Sequence, residues 1–240
     1  MNPKFLALEM RRVLRSPRFM IFTVAFPVLL FVLYVGLWGK DQATTATLMV
    51  SMTAFGAMTA ALVTGTRVAL ERQSGWQRQL RLTPLSGRGY LSAKAATGMM
   101  LALAPVVLVP LIGGVIEGVS LDFNGWLRVT LGVWLAAIPF ALLGLLIGQI
   151  GSADSTQPLT QLVILPMSLL GGIFIPVSAM PDWLLKIAHV LPTYWMGEIG
   201  RSAVGQASST IGHAVLILAI WTVALSFGVI RRYRRDSARV

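Results

Sequence analysis

Apolar residues along this chain do not alternate with polar ones at period two. They run on almost unbroken in six stretches, near residues 19–38, 46–66, 94–116, 127–150, 157–175 and 211–230. A helix needs roughly 20 residues to cross a hydrocarbon core of about 30 Å, so each stretch is long enough for one crossing. Helices satisfy their own backbone groups in lipid, whereas a lipid-facing strand requires alternation, which excludes a barrel. The pattern therefore predicts an all-α membrane protein with six transmembrane helices, built as a single transmembrane domain over 1–240.

The segments between the runs predict three further elements. Residues 3–17, with Arg18, place Lys4, Arg11, Arg15 and Arg18 on one arc of a helical wheel and Leu6, Met10 and Val13 opposite, which predicts an amphipathic interfacial helix over 1–18 that breaks at Pro17. A disordered basic tail is the alternative. The 68–92 connection predicts an amphipathic helix from Leu70 to Leu82, with Arg72, Arg78 and Arg81 on it, Trp76, Leu80 and Leu82 as apolar contacts, and a turn at Pro84, Gly87 and Gly89. Trp and Arg are favoured interface anchors, so this helix is a docking surface or a solvated basic loop. The 176–210 connection is cut by Pro176, Pro181 and Pro192. Its 182–191 piece predicts a helix capped by Asp182 and stopped by Pro192, with a second short helix after Thr193. Neither piece is long enough to cross, which leaves a re-entrant outer segment or an ordinary loop helix packed on the bundle.

Composition agrees with a lipid solvent: 55% hydrophobic and 12% charged residues, with a mean hydropathy of +0.74. The formal charge of +11 suggests nucleic acid only if the basic residues share one face of a soluble fold. Here they sit between the apolar runs. Sixteen of them fall before the first run, between the second and third, or after the sixth, and four (Lys40, Arg128, Lys186, Arg201) fall on the other side. The positive-inside bias then predicts both termini in the cytoplasm of a multi-pass cell (inner or plasma) membrane protein. A cleaved signal peptide is the competing reading of the first 40 residues, but its apolar core would be shorter. The absence of cysteine excludes disulfides and thiol chemistry.

Candidate chemistry is sparse. No acidic or basic residue falls near the middle of a run, and Glu117 and Asp154 lie at ends, which argues against an ion-coupled carrier. The one Gly-Lys pair, Gly39 and Lys40, is followed by Asp41, so there is no phosphate-binding loop. His189 and His213 stand alone, without metal-ligand spacing. No catalytic or metal-binding residue is predicted. Gly144, Gly148 and Gly151 form a small-residue face for close packing within one subunit. Phe22, Phe26, Phe55 and Met58 are candidates to line a path, or equally core residues.

Three motifs in order along this frame carry a resemblance. They are Glu71, Gly75 and the Leu82-Thr83-Pro84-Leu85 run; the segment from Phe174 through Trp183 with Leu191 to Trp195; and the amphipathic amino-terminal helix. The chain resembles the ABC-2 type transporter permeases, the membrane subunits of bacterial ABC exporters, in its drug-efflux-like branch. The resemblance implies a coupling site at Glu71, Arg72, Gly75, Trp76, Leu80, Thr83 and Pro84, and an outer gate at Phe174, Pro176, Pro181, Trp183, Pro192 and Tyr194. It also implies two copies of a separate cytoplasmic ATPase that holds ATP and Mg, a second permease subunit, identical or related, and no cofactor on this chain. A hydrophobic or amphipathic drug, lipid or peptide is the implied substrate. The short link after the first run leaves no room for the external domain of some relatives, and the runs lack an aromatic row for sugar stacking. A membrane sensor or assembly subunit, and a channel or secondary carrier, are the alternatives.

Overall fold

The structure, a computed structural model, describes residues 21–39, 41–76, 79, 87–207 and 209–237. The expected interfacial helix over 1–18, the loop residues Leu80, Thr83 and Pro84, and the Phe22 side chain lie outside what is described. Among the described residues all regular structure is helical, in the order α1 (Phe26–Trp38, led by a π turn at Ile21–Ala25), α2 (Gln42–Leu62), α3 (Thr64–Gln73), α4 (Gly87–Val115), α5 (Phe123–Leu127), α6 (Val133–Ala136), α7 (Ile138–Ile150), α8 (Ala153–Leu170), α9 (Asp182–Ala188), α10 (Pro192–Arg201) and α11 (Ile211–Ser237).

Among the described residues four helices are long and apolar enough to cross a membrane: Gln42–Gln73, Gly89–Val115, Phe123–Ile150 and Ile211–Arg235. The first expected run, 19–38, is described from Ile21 and appears as a shorter apolar helix, Thr23–Trp38. The fifth expected run, 157–175, forms Ala153–Leu170 instead. This helix starts four residues earlier than expected, at Ser152-capped Ala153, and takes in Asp154, Ser155 and Thr156, whose polar side chains dilute its apolar character; it stops at Gly171 and Gly172, the latter in the left-handed region at φ +78°.

The central rod is α2–α3. Val63 keeps right-handed helical angles between them, so they run as 32 residues from Gln42 to Gln73, about 48 Å at 1.5 Å per residue. Asp41 caps its start, accepting from the Thr44 amide and hydroxyl, both at 2.8 Å. These bonds, the amide first, hold the Asp41 carboxyl below its usual value. A depressed carboxylate contributes stability above the unfolded pKa and loses it as pH falls through the folded one. The protection factor of the Thr44 amide, referenced to its intrinsic exchange rate at each pH, is therefore expected to fall on acidification, and Asp41→Ala to remove that change in protection.

Small residues make the rod central. Ala46, Ala54, Ala57, Ala60 and Ala61 are buried, and α4 packs antiparallel along it. Met49 lies against Gly113, Gly56 against Pro105 and Thr64 against Gly98, so each glycine or alanine brings the helix axes closer. A second close crossing joins α3 to α7. A methyl added to Gly65 would overlap the Gly144 carbonyl, and methyls on Gly144 and Gly148 would overlap the carbonyls of Leu62 and Gly65. The small-residue face of Gly144 and Gly148 is thus used inside the subunit. By contrast α11 is peripheral, with 22% of its apolar window buried against 72% for the α2–α3 rod.

The main core holds Phe31, Met49, Met52, Met58, Phe140, Tyr194 and Met196. A smaller cluster of Val68, Tyr90, Leu91, Leu145 and Val229 joins α3, α4, α7 and α11 at the end of the bundle where the 74–86 connection leaves. That end is called basal here, and the opposite one apical.

Candidate functional site

At the basal end the structure redraws the coupling segment. The amphipathic helix expected from Leu70 does not start there: Leu70 to Gln73 belong to α3, and the connection opens at Ser74. Glu71 and Arg72 therefore sit on a spanning helix rather than in a loop. The physical reason is a set of tertiary contacts that hold the polar extension of the rod in place. Lys94 Nζ donates to Glu71 Oε1 at 2.5 Å and Tyr90 Oη donates to Glu71 Oε2 at 2.8 Å. The Lys94 and Glu71 side chains are only 2% and 7% exposed, so this is a buried, fully engaged ion pair bridging α3 and α4. Lys94, read from sequence as an orienting charge, is part of the interior.

Arg72 ties the same turn to α7. Its Nη1 donates to the Gly148 carbonyl at 3.2 Å and to the Gln149 carbonyl, placing a cation at the carboxyl end of a helix, where the dipole favours it. Tyr90 stacks on Tyr233 of α11, with ring centroids 6.2 Å apart, and Gly87 leaves the space that Tyr233 fills. The last turn of α3 is thus held by α4 and α7, and α11 joins through α4.

The turn out of α3 is then set by Gly75. Its φ of +72° lies in the left-handed region, and its amide donates to the Arg72 carbonyl at 3.3 Å, as in a glycine-capped helix end. A Cβ there would meet nothing within 4 Å, so the constraint is conformational, not steric. Gly75→Ala is expected to perturb the exit of the connection, and Gly75→Asn, which tolerates the left-handed region, to perturb it less. Limited proteolysis across 74–86 reads the difference. Trp76 begins the next helical turn, half-buried. Beside these residues opens a pocket of about 500 Å³ lined by Arg67, Leu70, Glu71, Gln73 and Ser74.

Gln149 is 2% exposed, and its side-chain amide has no hydrogen-bond partner among the described residues. Leaving a buried polar group unpaired costs about 1–3 kcal/mol. Gln149→Leu is accordingly expected to raise the melting temperature of the purified chain.

The expected gate residues lie at the apical end but in different environments. Phe174 packs on Phe55, centroids 5.1 Å apart, and Phe55 on Phe26 at 6.1 Å. Met58 is wholly buried. Pro176, Pro181 and Trp183 are exposed, Pro181 takes the cap position and Asp182 is the first residue of α9. That helix ends at Ala188 rather than Leu191, where His189 and Val190 turn the chain. Both carbonyls are held by indoles: Trp195 Nε1 donates to His189 at 2.7 Å and Trp221 Nε1 to Val190 at 2.9 Å. Every residue of α10, including Pro192 and Tyr194, is buried.

Within α10 lies an ion pair that sequence reading missed. Arg201 Nη2 and Nε donate to Glu198 Oε2 at 2.8 and 3.1 Å, and Glu198 Oε1 accepts from the Ser209 amide at 2.6 Å. Arg201 also lies over the Tyr194 ring at 5.3 Å. The i, i+3 spacing was the available signal. The Glu71–Lys94 pair, separated by a loop, had none.

Comparison with known proteins now bears on this two-ended bundle. The chain is 28% identical over 216 residues to a Bacillus subtilis (strain 168) protein named "Putative transport permease YvfS", covering 88% of each chain. It is 26% identical over 150 residues to "Inner membrane transport permease YadH" of Escherichia coli (strain K12), covering 58% of this chain and 54% of that one. The sequence model described as "ABC-2 type transporter" matches residues 5–204. A multi-pass helical bundle matched over most of its length by that model belongs to the ABC-2 type transporter family, as a membrane permease component.

Proposed function

We propose that this chain is the permease subunit of an ATP-driven exporter, with six spans, both termini in the cytoplasm, and a separate ATPase docked at the basal end. The observation that carries the reading is the fastening of the last turn of α3 to α4 through Glu71 and to α7 through Arg72, with α11 joined to α4 through Tyr90 and Tyr233. A push on the 74–86 connection reaches three helices through a buried ion pair, a helix end and a ring stack, none of which yields without breaking. Such a base suits rigid-body transmission of movement from a partner. ATP and Mg belong on that partner.

Helix α8 supports a path shared between two permease subunits. Its exposed face mixes Leu159, Leu162 and Leu165 with Gln157 and Gln161. Amides at membrane depth are costly against hydrocarbon, so this face suits a second subunit or a path carrying water and an amphipathic cargo. The same polar face explains why α8 is short of the usual apolar content of a span. The buried α10 and exposed α9 suit a re-entrant apical segment whose hinge is the tethered turn at His189 and Val190.

Affinity purification from the native membrane tests the assignment. The reading expects a copurifying ATPase whose hydrolysis rises with a hydrophobic dye. A stable complex with no nucleotide hydrolysis would favour a sensing or assembly role instead.

A further inference from the structure

Between the apical halves of α5–α7 and α11 runs an open groove of about 560 Å³ that takes no part in the path proposed above. Leu131 and Leu135 form one wall, Val215, Ala219 and Val223 the other, and Ile199 of α10 the floor. The lining is aliphatic or glycine throughout except for Arg128 at the apical mouth and Thr222 towards the deep end. Local backbone explains why it is open: the π turn at Arg128–Gly132 interrupts the helix, and Gly132, Ala136 and Ala219 project little from the facing walls.

Pockets for drug-like molecules combine aliphatic with aromatic side chains and several convergent polar groups. This one has no aromatic and a single cation. From Arg128 to Pro139 on one wall and Ile211 to Val223 on the other the groove extends about 17 Å at 1.5 Å per residue. One leaflet contributes about half of a 30 Å core, roughly 15 Å. The guanidinium carries five N–H donors, and the acceptor that the structure gives it is the Ser202 carbonyl at 3.0 Å. A leaflet-length aliphatic slot with an arginine at its headgroup end matches a phospholipid in both shape and charge.

We propose that this groove binds an acyl chain of one anionic phospholipid from the surrounding leaflet, with its phosphate on Arg128. The acyl chain lies against Ile199 and the phosphate shares the guanidinium that holds Ser202, so the bound lipid bears directly on α10. The proposal needs the membrane bundle but not the partner ATPase.

The test titrates phosphatidylglycerol or phosphatidylcholine into the purified full-length chain in detergent and counts retained lipids by native mass spectrometry. The wild type is expected to saturate at one phosphatidylglycerol per chain and to prefer it over phosphatidylcholine. Arg128→Gln is expected to abolish that preference. Ala219→Trp, at an exposed position that fills the groove, is expected to lower retention of both lipids by about tenfold. Val215→Trp blocks the same wall one turn away and serves if the first variant alters elution or helicity. Unchanged retention in a folded blocking variant, or an undiminished preference in Arg128→Gln, overturns the proposal. The sequence contains no cysteine, so Val215→Cys carries a single thiol. Efficient disulfide formation between two copies in the membrane would assign the groove to a protein interface and overturn it as well.

Discussion

Replacing Glu71 by alanine is expected to destabilise the folded chain by about 3–5 kcal/mol, because it removes the carboxylate to which the buried Lys94 ammonium donates. The carboxylate accepts from both Lys94 and Tyr90, so two buried hydrogen bonds are lost at once. Lys94→Ala is expected to be similarly severe, since it removes the cation paired with the buried carboxylate. The double variant Glu71→Leu with Lys94→Met removes both charges and is expected to recover most of the loss, as apolar replacement of buried pairs often does. Thermal melts in detergent distinguish the three. If both single variants melt like the wild type, the ion pair is not the fastening that holds the polar end of α3. Under the exporter reading the double variant separates stability from transmission: it should fold yet couple poorly, because a shape-filling apolar contact slides where a bonded pair does not.

The second large effect is expected at the glycine crossing of α3 and α7. Gly65→Leu sets a side chain against the Gly144 carbonyl, and Gly148→Leu sets one against that of Gly65. Overpacking ordinarily costs about 1–3 kcal/mol where neighbouring side chains can shift. Here the obstacle is backbone, so the cost is expected to exceed that range and the yield of folded protein to fall. Gly36→Leu is the matched control, because nothing lies within 4 Å of its added Cβ. Its melting temperature should stay at the wild-type value. Equal behaviour of Gly65→Leu and Gly36→Leu would remove the close crossing from the account.

These two sites also mark what could be read in the sequence. The long apolar helices were legible because lipid demands continuous apolar character: the α5–α7 helix and α11 contain the runs that predicted them, and α4 matches its run to within one residue at the end. The ends were less legible. The second run stops being apolar near Thr66, but the helix continues to Gln73, since Glu71 finds Lys94 across a connection whose geometry no local pattern encodes. Gly144 and Gly148 announced close packing, and their partners Gly65 and Leu62 became identifiable only in three dimensions. Phe55 and Met58 could be read as path or core from spacing alone, and the structure buries both in the subunit. In the apical segment, prolines correctly separated two short helices, while the Glu198–Arg201 pair was overlooked although its i, i+3 spacing was visible. The π turn that opens the groove could not be read locally, because Val129, Thr130 and Gly132 lower helix propensity without specifying a π turn.

The central claim is that movement applied at the 74–86 connection is transmitted through Gly75 and the fastened end of α3 to drive transport. Its most direct test is efflux of a hydrophobic dye from proteoliposomes holding the chain with its partner ATPase, measured beside ATP hydrolysis for the wild type, Gly75→Ala and Gly75→Asn. The account predicts no efflux without ATP, and a lower ratio of dye moved to ATP hydrolysed in Gly75→Ala than in Gly75→Asn, which should approach the wild type. Dye flux that proceeds equally without ATP, or a ratio unchanged in Gly75→Ala, would contradict it.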